Sequence, residues 1–214
     1  MDDARLIPAD HLHAFVVRVI ERVGTPTDIA RVVATTIVNA DLSGHPSHGV
    51  AMIPHYLAAL EDGRLAPAAR PVIVQELPGS AVIDAQGGWG HYTAAWTMDW
   101  LIEKARGVGV ACASIRDVKH IGRLGEYAEQ AAAKGCVGII SVAWGGQGVG
   151  VAAPHGGRSK SLGTNPLAVG APTGDDSPFV ADLATTTVAA GKVYVARDGG
   201  EDLPPGCIID RNGY

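Results

Sequence analysis

Phenylalanine is nearly missing from this chain, with two in 214 residues. Its core must therefore be built mainly from Ala, Val, Ile and Leu. Cysteine is also scarce: Cys112, Cys136 and Cys207 are odd in number, widely spaced and form no Cys-x-x-Cys pair. That excludes a disulfide scaffold and implies reduced thiols in a cytosolic setting. Basic clusters are absent and the net charge is −5, which argues against nucleic acid and anionic membrane as partners. No apolar run reaches the ~18 residues of a membrane span. The start, Met1-Asp2-Asp3-Ala4-Arg5, lacks the shape of a signal peptide, so the expected location is cytoplasmic. Glycine and proline are abundant, at 28 and 13, and 47% of residues are apolar against 18% charged. This is a globular composition with many tight turns, long enough for one domain or one domain plus a helical appendage.

Apolar spacing of three and four predicts a helix over 8–23, through Leu12, Phe15, Val16, Val19, Ile20 and Val23. Thr25, Pro26 and Asp28 then read as a hydroxyl cap, a first-position proline and a first-turn acid, opening a helix to about Leu42. A third helix is expected over 49–60. Beyond Pro67 the pattern changes. Strands are expected over 72–77 and 81–84 around Pro78-Gly79, then over 108–115, 137–142, 167–171 and 179–182. Helices are expected over 93–106 and 126–134. The predicted class is mixed α/β, with helices packed on a sheet. The expected division is a helical segment over 1–66, an α/β domain over 67–198 and an irregular tail over 199–214.

Three polar knots stand out. The first is Asp41-Leu42-Ser43-Gly44-His45-Pro46-Ser47-His48-Gly49 with Tyr56 beyond it. An imidazole titrates near neutral pH and passes protons to a substrate oxygen, or it merely caps a helix. Tyr56, eight residues after His48, shares its face if one helix carries both, or it is a core tyrosine. The second knot is His120 with Gly122, Arg123 and Gly125, past a strand end where open sheets bind ligands. Arg123 suits an anionic substrate or is simply solvated. The third is Thr164-Asn165, a turn by composition. Asp182 accepts a ribose hydroxyl or caps a segment. Gly148 to Ala153 fits the dinucleotide fingerprint in letters only, because Pro154 and Gly156-Gly157 would stop the helix that it must open. His45, His48 and His55 invite a zinc reading, but their spacings of three and seven do not match an i, i+4 metal helix.

Taken together and in this order, the knots resemble the malate/L-lactate dehydrogenase family of NAD(P)-dependent oxidoreductases, over residues 6–213. The resemblance implies a non-Rossmann fold in which a central mixed-sheet domain carries NAD or NADP beside packed helices, and a homodimer acting on a small molecule. It implies hydride transfer between nicotinamide and a 2-hydroxy or 2-oxo acid. His120 matches the family's proton donor and acceptor, with His48 as the alternative. Ser47, Tyr56, His55 and Arg123 fall on the substrate side. Asp182, Leu183 and Ala184 match a cofactor-contacting segment, near Thr164 and Asn165.

Two departures matter. Many relatives carry an arginine where this chain has Met52, and an apolar side chain cannot replace a bidentate guanidinium. Relatives also continue past the segment resembling 203–213, so a missing C-terminal part is expected, with the apolar faces of the first three helices left exposed. The competing readings are a truncated fragment that binds a partner without turnover, and a metal-dependent hydrolase on His45, His48 and His55.

Overall fold

The computed structural model describes residues 6–144, 150–175, 177–210 and 212. Helices α1 (Ala9–Arg22) and α2 (Thr27–Leu42) form a hairpin. Their three-and-four stripes meet in a core where Val16, Ile29, Val33 and Ile37 lose all solvent contact. Each such side chain contributes about 1.5–3 kcal/mol of burial free energy. The expectation of exposed apolar faces on the first three helices holds only in part: Phe15 on α1 and Leu42 at the end of α2 stay exposed, while most of the stripe is covered. α1, α2 and α3 (Ile53–Glu61) cover one another and close around Trp89 and Tyr56. The proposed Thr25 cap is corrected. Pro26 flanks α2 with no side-chain cap, and the Thr25 hydroxyl instead accepts the Trp89 indole N–H at 2.9 Å.

The expected helix over 49–60 is shorter. Two 3₁₀ turns, Pro46–His48 and Val50–Met52, precede α3. Pro54 lacks the N–H that a longer helix would need, and is tolerated only in a first turn.

Strands β1 (Val72–Leu77) and β2 (Ser80–Asp84) form the expected hairpin, and β3 (Cys112–Arg116) joins β2 in parallel. Between them α4 (Gly90–Val108) starts three residues earlier than the periodicity suggests. It ends at Gly109, whose φ of 89° stops the helix. Val108 thus closes a helix and does not open a strand. After α5 (Gly125–Ala132), strands β4 (Gly138–Ser141), β5 (Leu167–Ala171) and β6 (Phe179–Leu183) make an antiparallel sheet in sequential order. The mixed α/β class stands, with the strands divided between two three-stranded sheets. A second core joins Met98, Ile102, Leu124, Tyr127, Ala128 and Ala168 from α4, α5 and β5. The Tyr127 hydroxyl donates to the Ile121 carbonyl and pins the loop after His120.

A final helix, α6 (Ala190–Gly199), has no counterpart in the sequence pattern. Of the glycine-rich run, residues 145–149 lie outside the described residues. From Gly150 the chain forms a loop bridged at Ala152 and Leu162, with no helix after the fingerprint letters.

Candidate active site

The first knot is held by a carboxylate. Asp41, near the end of α2, accepts the Val50 N–H at 2.9 Å through Oδ2. Gly49 lies so close that a Cβ there would fall 1.9 Å from Asp41 Oδ1. A side chain there would push the Asp41 carboxylate off the Val50 N–H, so glycine preserves this tie between the turn and the helix end. This fixes Ser47 and His48, whose Oγ and Nδ1 are 3.1 Å apart.

The second knot arrives from β3. The loop after Arg116 brings His120 over His48, ring on ring, with centroids 5.5 Å apart and planes 20° apart. From α3, the Tyr56 hydroxyl lies 2.8 Å from His120 Nδ1. The same hydroxyl is 3.3 Å from Nε2 of His91, on the first turn of α4. His48 and Tyr56 therefore share a site, but they reach it from a 3₁₀ turn and from α3, and no single helical face carries both. Trp89 closes the floor, edge-on to Tyr56 at 5.7 Å. Sequence reading missed His91. Its signal was Trp89-Gly90-His91, where glycine lets α4 begin against the His120 loop.

Burial sets the electrostatics. His91 has no solvent exposure. Desolvation, then repulsion from His120 and His48, holds its pKa well below the ordinary histidine value. His120 is crowded by rings yet keeps an accessible edge. Desolvation, then His48 and His55, lowers it to about 4. His48 is lowered by desolvation and by His45 and Arg123, against an opposing pull from Asp182. Desolvation raises Tyr56, so its hydroxyl keeps its proton.

His120, Tyr56 and Trp89 line a cleft of about 130 Å³, with His55, Arg64 and Lys119 at its polar side. That is far below the ~300 Å³ of drug-sized pockets and suits a small acid. A larger depression of about 320 Å³ on the first sheet is lined by Leu77, Val82, Cys112 and Ser114, among others, and carries no ionisable constellation.

Arg123 sits deeper than a solvated arginine, at 7% exposure. Its guanidinium bonds Glu129 at 2.7 Å and reaches Glu126 at 3.4 Å, and Asn39 on α2 donates to Glu126 at 2.8 Å. Arg123 thus ties the loop to α5 and α2. Asp182, on β6, accepts the Gly125 N–H at 2.7 Å and so caps the first turn of α5. Thr164 and Asn165 are stitched to the loop after β6: the Thr185 hydroxyl donates to both carbonyls at 3.1 Å, and Asn165 Oδ1 accepts the Trp144 N–H at 3.1 Å. Leu183 is exposed and Ala184 half-buried beside them. Among the described residues, no hydrogen bond or ring contact joins Thr164, Asn165, Leu183 or Ala184 to the histidines. Nor, among those residues, do three His, Cys, Asp or Glu side chains converge as a metal-ligand set, and no helix is long and apolar enough to cross a membrane.

A family profile described as malate/L-lactate dehydrogenase matches residues 7–214. Hydroxycarboxylate dehydrogenase B of Escherichia coli O157:H7 is 38% identical over all of this chain and 58% of its own length. Malate dehydrogenase of Pyrococcus abyssi is 39% identical over 97% of this chain and 56% of its own. Among solved structures, the delta1-piperideine-2-carboxylate reductase of Pseudomonas syringae pv. tomato superposes with a TM-score of 0.90 at 34% identity, covering 98% of this chain and 62% of that one. The sulfolactate dehydrogenase of Methanocaldococcus jannaschii gives 0.87 at 33%, covering 98% and 59%. The chain thus spans just over half the length of the curated relatives it matches. With a family profile matching nearly every residue, and two solved relatives superposing on nearly all of it, the chain belongs to the malate/L-lactate dehydrogenase family.

Proposed function

We propose that the chain provides the proton-transfer half of an NAD(P)-dependent oxidoreductase that interconverts a 2-hydroxy acid and a 2-oxo acid. The observation that carries this is the 2.8 Å contact of the Tyr56 hydroxyl with His120 Nδ1. It occupies one ring nitrogen and leaves Nε2 for a substrate oxygen in the adjoining cleft. His48, stacked on His120 and oriented by Ser47, repels a second positive charge and keeps His120 ready to release its proton. In the reducing direction His120, charged on both nitrogens, gives its Nε2 proton to the carbonyl oxygen and is left neutral, and in the oxidising direction a neutral ring with Nε2 free takes the hydroxyl proton.

Met52 packs against the helical core and offers the substrate carboxylate nothing. Arg64 and Lys119, on the cleft wall, supply the positive charge instead, although Arg64 also bonds Asp62 at 2.7 Å and Lys119 bonds Asp117 at 3.2 Å, all at the surface. His55 adds to it.

A bound nicotinamide dinucleotide would accept or donate the hydride. The donor set fits such a group. Asp182 has one oxygen fixed on Gly125 and a second to offer a ribose hydroxyl, and the Thr164–Asn165 carbonyls are set by Thr185. We place Asp182, Leu183, Ala184, Thr164 and Asn165 on the cofactor side. Three free cysteines agree with a reducing compartment such as the cytoplasm. Exposed Val110, Val137 and Ile139 agree with pairing of two copies.

Titration of the 214-residue protein with NADH and with NADPH, read by nicotinamide fluorescence and energy transfer from its four tryptophans, tests the reading. Saturable binding, followed by reduction of a 2-oxo acid that falls by ~10²–10⁴-fold in His120→Ala, is expected. A folded chain that binds neither dinucleotide overturns the proposal for this chain.

A further inference from the structure

His91 takes no part in the proton transfer described above, yet it is one of the few polar side chains with no solvent exposure. Its two ring nitrogens have unequal surroundings. Nε2 lies 3.3 Å from the Tyr56 hydroxyl, while Nδ1 is buried without a hydrogen-bond partner among the described residues. A neutral imidazole carries its proton on one nitrogen only. An orphaned buried N–H is rarer and more costly than an orphaned acceptor, so the proton belongs on Nε2. That choice has a direction. His91 Nε2–H donates to the Tyr56 oxygen, and the Tyr56 proton must then point to its other neighbour, His120 Nδ1, at 2.8 Å.

We propose that His91 is a positioning residue: acting through Tyr56, it biases neutral His120 toward the Nε2–H tautomer, so that Nε2 is free to take a substrate proton only when the Tyr56 proton turns away from Nδ1. For His120 to gain a second proton on Nδ1, the Tyr56 proton must turn to His91 Nε2, and His91 must then carry a buried, unpartnered Nδ1–H. His91 therefore resists charging of His120 by a route separate from burial. The titratable and charged groups around His120 are His48 on the 3₁₀ turn, His55 and Tyr56 on α3, His91 on α4, Arg64 on the same cleft and Lys119 beside it, which pairs with Asp117. Only Tyr56 touches both His120 and His91 by hydrogen bond among the described residues. The inference builds on the proposed use of His120, but the tautomer itself requires neither cofactor nor substrate.

Nitrogen-15 NMR of the histidine rings in the 214-residue protein tests it, with His120 assigned by His120→Gln. The wild-type ring is expected to show a protonated Nε2 and a lone-pair Nδ1 at pH 7.5. In His91→Gln the amide either donates or accepts, so the Tyr56 proton turns freely and the His120 titration moves up by about one unit. In His91→Phe the Tyr56 proton has only Nδ1 to bind, so the titration moves down. In a Tyr56→Phe background, His91→Gln leaves His120 unmoved, as expected for a coupling carried by that hydroxyl. A Nδ1–H tautomer in the wild type overturns the proposal, as does a shift that persists without the Tyr56 hydroxyl. If either His91 variant fails to fold, Tyr56→Phe alone decides: the His120 preference for Nε2–H must disappear.

Discussion

Gly90→Ala is the sharpest perturbation of this site, because it adds one methyl at the seam between α4 and the His120 loop. A Cβ at Gly90 would fall 2.2 Å from the Lys119 carbonyl oxygen and 2.4 Å from that of His120. An ordinary carbon–oxygen contact is ~3.3 Å, so the two backbones must part by about 1 Å. Backbone cannot swing away as a side-chain tip does, and overpacking of this kind costs about 1–3 kcal/mol. Alanine's better helix propensity returns up to ~1 kcal/mol, leaving a net loss of about 1–2 kcal/mol. Gly107, on the same helix, is the control. A Cβ there meets nothing within 4 Å, so Gly107→Ala is expected to gain about 0.5–1 kcal/mol. Urea unfolding followed by circular dichroism measures both. The Gly90 midpoint should fall by about 0.5–1 M at ordinary urea slopes, and the Gly107 midpoint should rise. In an active preparation, displacing His120 by about 1 Å should cost ~10²-fold in turnover. If Gly90→Ala matches or exceeds the wild type in stability, the argument from close approach is wrong.

Arg123→Met should lower stability by about 1–3 kcal/mol, because it leaves Glu129 and the half-buried Glu126 without their cation; calorimetry reads the change. Trp89→Phe removes the indole donor from the Thr25 hydroxyl and should cost about 1–2 kcal/mol of stability, read by urea unfolding. Acid should also destabilise the fold. His91 and His120 have folded pKa values below the unfolded one, so their neutral forms stabilise the fold fully above about pH 6.5. That contribution is lost as pH falls through the folded values, near 4 for His120. The melting temperature should therefore drop from pH 7.5 to pH 5, and His91→Gln should reduce the drop. An unchanged melting temperature over that interval would remove the histidines from the stability balance.

The helical hairpin was legible because its stripes keep strict period: Val16, Ile20, Ile29, Val33 and Ile37 are all where the spacing puts them. The start of α4 was not legible. Glycine at position 90 argues for a loop, but it is there because the His120 backbone approaches too closely for a Cβ, a non-local fact that local sequence does not encode. The same blindness hid His91, which the pattern left outside the helix. The histidine knots were readable as chemistry, but their meeting was not: His48 and Tyr56 were expected on one helix, whereas extended backbone at Gly49 and the first-turn Pro54 separate the His48 turn from α3. Arg123 looked like a free anion receptor because its partners lie three and six residues ahead, on a helix face that only the folded α5 turns toward it. The separation of the strands into two sheets depends on which edges pair, and strand periodicity carries no information on that.

The Tyr56 hydroxyl meets His91 across 35 residues of chain and His120 across 64, and Trp89 meets Thr25 across 64. The hydrogen bonds that join α3 to α4 and to the His120 loop are thus non-local, while the α1–α2 hairpin beneath them is local. Closing long loops is slow relative to forming neighbouring helices. A refolding chain should recover its far-ultraviolet helix signal first, and the near-ultraviolet signal of Tyr56 and Trp89 later. In that interval the molecule has its scaffold but no proton-transfer site, so the site would be the last feature gained during synthesis and the first lost under mild denaturant.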